Sequence, residues 1–247
     1  MSEELILTNN HSFCIAGESG KGKSASLRNI ENPEKWIYLN AEAGKPLPFR
    51  NRFHQEIVTD PFQVIAAIDN ADAILEDNVG IIVDSLTFLM DMFETLYIYE
   101  SADSRKGWGD FNQFLKQLIQ GAVARYGKPV IFTAHTLSTY DEATLSFKTA
   151  IPIKGSLKNN GVEAYFTTVV AAKVLPVKDL EIYNNNGLLT ITEDERDLGI
   201  KHVFQTRLTK DSIGERIRSP MGMFTKEQTY MDNDAQKLIS HIDEFYK

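Results

Sequence analysis

A short segment near the start of the sequence restricts the possible folds more than any other feature. The pattern G-x-x-x-x-G-K-S/T is matched at every fixed position by Gly17-Glu18-Ser19-Gly20-Lys21-Gly22-Lys23-Ser24. The apolar run before it predicts a buried strand, and Ala25-Ser26-Leu27-Arg28 after it is compatible with a helix. A strand, a glycine-rich loop and a helix in this order predict an α/β fold with the loop at one edge of a sheet.

The same segment carries the first candidate site. Glycines in such a loop let backbone N–H groups surround phosphate oxygens, and the start of a helix adds positive potential. Lys23 would reach the β- and γ-phosphates, and the Ser24 hydroxyl would ligate Mg²⁺. We therefore predict ATP and Mg²⁺ as ligands, bound by residues Gly17 to Ala25. An ordinary glycine-rich turn is the alternative.

Short apolar runs alternate with helical patterns through the first half of the chain. The runs predict strands at residues 12–16, 36–39, 80–83 and 129–133. Apolar spacing predicts a helix at 60–77, capped by Asp60, and another at 111–126, capped by Asp110 and ended by Gly127. Strands separated by helices indicate a mostly parallel central sheet flanked by helices.

The last third of the sequence has a different pattern. Residues 167–173 and 202–208 predict strands, and Asn184-Asn185-Asn186-Gly187 is typical of a hairpin turn. We therefore expect an antiparallel C-terminal extension of the sheet, followed by an amphipathic helix at residues 233–246. No repeat or linker divides the sequence, so residues 1–247 are predicted to form a single domain with its core at about 11–224.

Charge and composition limit the class of protein. The chain has 34 acidic and 26 basic residues and a formal net charge of −8, which argues against a surface covered in positive potential. This net charge is compatible with a local basic groove. No apolar run approaches the roughly 20 residues of a membrane span. The acidic start, Met1-Ser2-Glu3-Glu4, and the single Cys14 favour a cytoplasmic protein.

Polar residues follow three of the predicted strands, where they would meet the glycine-rich loop. Asp84 is our candidate to hold Mg²⁺, and capping of the next helix is its alternative role. Glu42 is the candidate base that orients and deprotonates the attacking water, or else a plain surface acid. His135 is a candidate sensor of the γ-phosphate, or else a structural histidine.

In order and spacing, these motifs resemble the core of RecA-like ATPases. The resemblance covers about residues 13–224 and is closest to the small phage-encoded RecA-like (Sak-type) proteins of single-strand annealing recombination. It implies a RecA-like P-loop core in which Ala41-Glu42 provides the catalytic glutamate and Val83-Asp84-Ser85 the magnesium aspartate. Where RecA carries an Asn-Gln sensor, this chain has Thr133-Ala134-His135, so the histidine is a departure from the pattern.

The resemblance also implies two DNA-binding loops. The first, at residues 101–109, holds Arg105, Lys106 and Trp108, which suit phosphate contacts and base stacking. The second, at residues 137–160, is longer than an ordinary connection and contains Tyr140, Phe147, Lys148, Lys154 and Lys158. We predict single-stranded DNA as a partner, with solvated loops that carry incidental cations as the alternative.

The segment at 207–224 resembles the one from which RecA proteins extend lysines into the ATP of a neighbouring subunit. Lys210 is the candidate for this role, and Arg216 and Arg218 compete for it. We expect self-association with the ATP site near a subunit interface, and a single-stranded-DNA-binding protein as a further partner. The loop begins at residue 17, which leaves no room for the amino-terminal linker of filament-forming recombinases, so assembly would use another contact.

These features lead to one main hypothesis and two others. The main hypothesis is an ATP-dependent single-stranded-DNA-binding recombination or annealing protein whose hydrolysis is stimulated by DNA or by assembly. The second is a P-loop ATPase that acts as a loader or motor on a protein partner in replication, without DNA specificity of its own. The third is a nucleotide-binding regulatory module that hydrolyses slowly and signals to a protein partner.

Overall fold

The fold is known from a computed structural model, which describes residues 9–142, 145–158 and 160–247. Short runs of apolar residues, many of them β-branched or aromatic, form the buried strands of the sheet, as their composition favours. In chain order the strands are β1 Ser12–Gly17, β2 Trp36–Asn40, β3 His54–Ile57, β4 Gly80–Asp84, β5 Val130–His135, β6 Leu137–Asp141, β7 Ser146–Ala150, β8 Thr168–Pro176, β9 Ile200–Gln205 and β10 Tyr230–Asp232.

Eight of these strands form one sheet, in the order β10-β9-β8-β1-β5-β4-β2-β3. The pairs from β8 to β3 in this order are parallel, whereas β9 and β10 run antiparallel to their neighbours. The four strands predicted in the first half of the chain are β1, β2, β4 and β5, and all are buried. The mostly parallel sheet with an antiparallel C-terminal extension is therefore confirmed.

Helices connect the strands and cover both faces of the sheet. The α-helices are α1 Phe62–Asp69, α2 Ala71–Ile74, α3 Leu86–Phe93, α4 Ser104–Lys116, α5 Ala124–Tyr126, α6 Val177–Leu180, α7 Glu193–Leu198 and α8 Ala235–Phe245. Two π-helical turns, Glu94–Ile98 and Gln117–Val123, extend α3 and α4. The 3-10 helices are Ser24–Asn29, Pro33–Lys35, Gly155–Lys158, Val162–Tyr165, Glu181–Tyr183, Lys210–Ser212 and Glu227–Thr229.

Side chains alternate along the central strands and fill a core on each face of the sheet. Cys14 and Phe132 point to one face, where α1, α3 and α4 pack on them. Phe13 and Ile131 point to the other face, which α8 and the 3-10 helix Ser24–Asn29 cover. Burial on both faces explains why these strands are continuous apolar runs in the sequence.

The helices confirm the predicted pattern but not all of its boundaries. The Asp60 carboxylate accepts a hydrogen bond from the Phe62 N–H at 2.8 Å, so Asp60 caps the helix as predicted. The predicted helix at 60–77 is nevertheless two helices, because the chain bends at Asn70 between α1 and α2. The helical backbone ends at Ile74, three residues before the predicted end at residue 77, because Leu75 is extended.

The start of α4 corrects a second prediction. Asp103 is its N-cap: the carboxylate accepts from the N–H groups of Arg105 at 3.0 Å and Lys106 at 3.2 Å. The predicted cap, Asp110, lies inside the helix. The helical backbone then continues to Tyr126 and ends at Gly127, which is left-handed as expected of a helix C-cap.

The remaining connections differ in detail from the sequence predictions. In the described stretch 184–199, the turn at 184–187 is followed by α7 and by no strand, so the hairpin predicted there is wrong. The loop predicted at 137–160 instead contains an antiparallel hairpin of β6 and β7; residues 143, 144 and 159 lie outside the described residues. No helix in the described part of the chain is long and apolar enough to cross a membrane.

Candidate nucleotide site and adjoining cleft

The loop after β1 depends on glycine at two points. A Cβ atom at Gly17 would lie 2.7 Å from the carbonyl oxygen of Ala172 in β8. Gly22 has a φ of +91°, and a Cβ atom there would lie 3.0 Å from both His202 Nδ1 and Asn233 Oδ1. Larger residues would therefore push the loop away from the strands beside it. The segment after the loop is helical as predicted, but it forms the 3-10 helix Ser24–Asn29.

Lys23 lies folded back into this loop and is only 6% exposed. Its Nζ donates to the carbonyl oxygens of Gly17 and Glu18, both at 2.9 Å, and lies 3.3 Å from His135 Nδ1. Burial lowers the pKa of Lys23 to about 8, against the attraction of Asp84 and Glu42. Neutral acceptors stabilise an ammonium less than anionic oxygens do, so the group is poised to exchange them for phosphate.

Asp84 ends β4, between β5 and β2, and its carboxylate is held on both sides. The Thr133 hydroxyl of β5 donates to Oδ1, and the Tyr38 hydroxyl of β2 donates to Oδ2 at 2.8 Å. With Asp84 only 3% exposed, these two bonds fix the plane of the carboxylate. Sequence reasoning missed Tyr38; its signal was a hydroxyl-bearing ring inside an otherwise apolar strand.

The residues predicted to hold Mg²⁺ fit that ion. The Ser24 and Asp84 side chains line the same cavity, and hydroxyl and carboxylate oxygens are among the ligands that Mg²⁺ takes in proteins. When bound there with a nucleotide, the ion would neutralise charge on the phosphate oxygens. The hydrogen bonds from Tyr38 and Thr133 hold the Asp84 carboxylate, which would be a ligand of the ion, in one orientation.

A chain of polar contacts joins the candidate base to the loop lysine. His135 Nδ1 lies 3.3 Å from Lys23 Nζ, and His135 Nε2 lies 3.4 Å from Glu42 Oε1. Because an ammonium only donates, Nδ1 accepts and Nε2 carries the proton directed at Glu42. The hydrogen bond from His135, with help from Lys45, holds the pKa of Glu42 below its usual range despite partial burial.

These groups surround a cavity of about 320 Å³. The predicted residues that line it are Ser19, Gly20, Gly22, Lys23, Ser24, Ala25, Glu42, Asp84 and His135. Gly17, Glu18 and Lys21 line instead a cavity of about 220 Å³ on the β8 side of the loop. Sequence reasoning missed the lining residues Tyr38, Lys45, Pro46, Leu47, Pro48 and His202, which belong to no motif.

A larger cleft of about 730 Å³ lies between α3, α4 and the β6–β7 hairpin. Four predicted DNA-binding residues from two distant segments line it, namely Trp108, Lys148, Lys154 and Lys158. Arg105 and Lys106 lie outside this lining, exposed in the first turn of α4. The flexible loop predicted at 101–109 is therefore wrong from Ser104 onward, where the chain is helical.

The cleft lysines differ in how strongly they are engaged. Lys154 Nζ lies 2.6 and 2.9 Å from the two carboxylate oxygens of Glu94, and Lys148 pairs with Asp141. Lys158 is exposed and, within residues 9–142, 145–158 and 160–247, makes no ion pair. A polyanion in the cleft would therefore meet Lys158 directly and would compete with carboxylates for the other two.

The hairpin turns its cations and its aromatic rings to opposite faces. Tyr140 lies directly across from Phe147, and the two rings pack edge to face at 5.3 Å while staying 53% and 66% exposed. Thr139 and its partner Lys148 point to the other face and line the cleft. Cations and aromatic rings were predicted to lie together on one surface. Because successive side chains of a strand point to opposite faces, they lie on opposite faces of the hairpin.

The three candidates for a contact to a neighbouring subunit also differ. Lys210 is exposed in the 3-10 helix Lys210–Ser212 and does not line the nucleotide cavity of its own chain. Arg216 Nη1 lies 3.2 Å from the buried Glu163 carboxylate. Arg218 Nη1 donates to the Ala164 carbonyl oxygen at 3.2 Å. Both arginines are engaged within their own chain, which leaves Lys210 as the more available cation.

Comparison with known families agrees with this geometry. The sequence profile of the AAA domain matches residues 9–207, which include β1 to β9 and every group around the nucleotide cavity. The chain belongs to the AAA domain family. It is accordingly a P-loop ATPase of the AAA type, with the P-loop at Gly17–Ser24. None of the curated proteins compared with this AAA domain protein matches it.

Proposed function

We propose that this AAA-type ATPase binds single-stranded DNA in the cleft between α3, α4 and the hairpin and acts in recombination or annealing. The observation that carries the proposal is the convergence of Trp108, Lys148, Lys154 and Lys158 on one cleft. Lysines suit the phosphates of an unpaired strand, and a tryptophan suits its bases. The proposal also draws on the resemblance to the phage-encoded RecA-like proteins.

Short connections link the nucleotide cavity to this cleft. The His135 N–H donates to Thr87 Oγ1 at 2.7 Å, and Thr87 lines the cleft. β6 begins at Leu137, two residues after β5 ends at His135, and Leu137 also lines the cleft. A change in the position of His135 when ATP binds would move two walls of the cleft, those formed by α3 and by the hairpin. ATP binding would in this way control the affinity of the cleft for DNA.

The proposed hydrolysis uses the residues around the cavity in distinct roles. Lys23 exchanges its carbonyl partners for the β- and γ-phosphate oxygens. Glu42 takes a proton from water as the water oxygen bonds to the γ-phosphorus and the bond to ADP breaks. His135 donates to Glu42 and orients its carboxylate. Ser24 and Asp84 hold Mg²⁺.

Assembly belongs to the same proposal. Lys210 is exposed and lies outside its own nucleotide cavity. On the resemblance to RecA proteins, we propose that it contacts the γ-phosphate of a neighbouring subunit and stabilises charge that develops there. Self-association would then raise hydrolysis. We propose a single-stranded-DNA-binding protein as a further partner, since it occupies the same strand.

One observation favours a second candidate function, that of a loader or motor on a protein partner. Asp91 and Glu94 line the cleft beside the lysines, and the whole chain carries a net charge of −8. A cleft lined by both signs of charge and by apolar residues such as Met90 and Ile213 also suits a peptide segment. A native protein that hydrolyses ATP but does not bind single-stranded DNA would favour this alternative.

The test is direct measurement of DNA binding. A fluorescent single-stranded oligonucleotide would be titrated with the protein and ATP at several salt concentrations, and anisotropy recorded. Lys158→Gln should weaken binding and reduce the slope of log affinity against log salt by about 0.7, the value for one lost phosphate contact on a single strand. Lys226→Gln, an exposed lysine outside the cleft, should change neither quantity.

Two results would decide against the DNA proposal. One is absence of binding by the native protein at low salt in the presence of ATP. The other is equal loss of affinity in Lys158→Gln and Lys226→Gln, because that would indicate general attraction by surface charge. Duplex DNA serves as a specificity control, since its stacked bases cannot contact the Trp108 side chain.

A further inference from the structure

We propose that Lys45 is a phosphate-contacting cation of the same subunit, which binds the γ-phosphate of ATP together with Lys23. This inference rests on the proposed nucleotide site and assigns a residue that no motif marks. It also differs from the role proposed for Lys210, because it needs no neighbouring subunit. The turn that carries Lys45, its charge partner and its place in the cavity support it.

A tight turn presents Lys45 and Glu42 side by side. The buried Asn40 side chain holds both ends of the turn: its Oδ1 accepts from the Glu42 N–H, and its Nδ2 donates to the Lys45 carbonyl oxygen, each at 2.9 Å. Ala43 and Gly44 have φ values of +53° and +78° and reverse the chain. A non-glycine residue in this region is uncommon, so the turn is closely specified by its surroundings.

The charge partner of Lys45 is the candidate base. Lys45 Nζ lies 3.4 Å from Glu42 Oε2, and the Lys45 side chain is 73% exposed. The Glu42 side chain is only 12% exposed, but the ammonium of Lys45 is in water and the distance is long. Such a pair is weak, so a stronger anion nearby would take the ammonium from Glu42. ATP offers such an anion, since each terminal phosphate oxygen accepts a charge-assisted hydrogen bond.

The position of Lys45 makes the γ-phosphate its target. Lys45 lines the cavity together with Lys23, Ser24 and Asp84. It lies on the Glu42 side, where water would approach the γ-phosphorus, and it contacts the same carboxylate that would accept the proton from that water. Movement of Lys45 to the phosphate would also release Glu42 Oε2 to accept a hydrogen bond from that water.

The experiment compares nucleotides that differ in the γ-phosphate. Equilibrium binding of ADP and of a non-hydrolysable ATP analogue, each with Mg²⁺, would be measured for the native protein, Lys45→Met and Lys45→Arg. We expect Lys45→Met to lower the affinity for the ATP analogue by about tenfold, as for a lost charge-assisted hydrogen bond. The affinity for ADP should change by less than about twofold. Lys45→Arg should recover part of the loss, because it keeps the charge.

Lys35→Met is the matched control. Lys35 precedes β2, at the opposite end of the strand from Lys45, and its Nζ lies 3.7 Å from the exposed Asp77 carboxylate. The Lys35→Met variant should bind both nucleotides with the affinities of the native protein. Unchanged thermal unfolding of Lys45→Met is expected, since the side chain is largely exposed, and it excludes a general loss of structure.

The outcomes separate this inference from the proposed function. If Lys45→Met lowered the affinities for ADP and for the analogue equally, or lowered neither, the role of Lys45 would be overturned. The nucleotide site itself would not be contradicted by either result. Failure of the native protein to bind either nucleotide would overturn the nucleotide site itself. A steady-state ATPase rate that Lys45→Met lowers only at high protein concentration would assign the residue to a subunit contact and so also contradict the inference.

Discussion

At the scale of single residues, the nucleotide cavity is lined by charged groups that the protein has already taken out of water. Lys23 and Asp84 are nearly fully buried, and each has hydrogen-bond partners on its charged atoms. Burial of a charge without partners costs several kcal/mol, so these hydrogen bonds offset the cost of burying the two charged side chains. The partners of Lys23 are neutral carbonyl groups, which makes its protonation sensitive to burial.

The depressed pKa of Lys23 predicts a pH dependence of ATP binding. As pH rises through about 8, the free protein loses the ammonium charge and with it the attraction for phosphate. The dissociation constant for ATP should therefore rise above pH 8, by up to about tenfold per pH unit, and binding there should take up a proton. Titration calorimetry in buffers of different ionisation enthalpy measures both.

The control for this pH dependence is Lys23→Arg, which keeps a positive charge at every pH in the range. Its affinity for ATP should be flat from pH 7 to 9.5, whatever its absolute value. A native protein with equally flat affinity would show that Lys23 is not the group that titrates.

A second prediction concerns the Tyr38 hydroxyl beside Asp84. Tyr38→Phe removes the 2.8 Å hydrogen bond to Oδ2 and keeps the ring, which stacks on Phe53. We expect the Mg²⁺ concentration for half-maximal ATP binding to rise by about tenfold, the usual cost of losing a group that orients a metal ligand. Fluorescence of a bound ATP analogue during a Mg²⁺ titration measures it.

Tyr126→Phe is the matched control for that substitution. Its hydroxyl donates to Asn78 Oδ1 away from the nucleotide cavity, so its loss should leave the Mg²⁺ requirement unchanged. An unchanged requirement in Tyr38→Phe as well would mean that Thr133 alone orients Asp84.

At the scale of secondary-structure elements, the buried central strands were predictable from the sequence, and the exposed strands were not. β1, β2, β4 and β5 are buried on both faces, so each is a continuous apolar run with a clear end. The β6–β7 hairpin has mostly exposed side chains on both faces, which leaves no apolar alternation to identify it. An exposed two-stranded hairpin and a long polar loop look alike in sequence.

The first turn of α4 shows why a helix start was misplaced. The loop at 101–109 was implied by the resemblance to RecA-like ATPases, and the low helix propensity of Gly107 and Gly109 agreed with it. In the structure, Gly107 packs against Ile98: a Cβ atom there would lie 3.3 Å from Ile98 Cα. The glycine serves close packing of α4 on the preceding helical turn, and this tertiary requirement outweighs the local preference.

The assignment of Asp103 as the N-cap of α4 gives a stability prediction. Asp103→Ala removes the acceptor of two backbone N–H groups and should lower the free energy of unfolding by about 1 kcal/mol. Asp110→Ala, inside the helix, should change it by less than about 0.5 kcal/mol. Urea unfolding followed by circular dichroism distinguishes them, and the reverse order would contradict the observed start.

At the scale of the whole molecule, the motifs gave the position of the site but not its full lining. Parallel strands bring the residues that follow them to one edge, so Lys23, Glu42, Asp84 and His135 were predictable as neighbours. Lys45 and Tyr38 were not, because their roles depend on a turn held by Asn40 and on the register between β2 and β4. Such placement is set by three-dimensional packing, which no short pattern records.

The arrangement of the two cavities favours regulation of one by the other. Both lie at the edge where β4 and β5 end, and α3 and the hairpin run from that edge into the walls of the larger cleft. His135 contacts Lys23 and Glu42 through its ring and Thr87 through its backbone. Occupancy of the cleft should therefore alter the geometry of hydrolysis as well as the reverse.

The steady-state ATPase rate, measured with and without single-stranded DNA, tests whether the cleft and the nucleotide cavity are coupled. It would be measured at several salt concentrations, with Lys23→Ala as the blank for contaminating activity and Glu42→Gln as a variant that should bind ATP without hydrolysing it. We predict a several-fold stimulation by DNA that fades as salt rises, as expected for phosphate contacts. Clear basal hydrolysis that DNA does not change at any salt concentration would contradict the coupling of the two cavities.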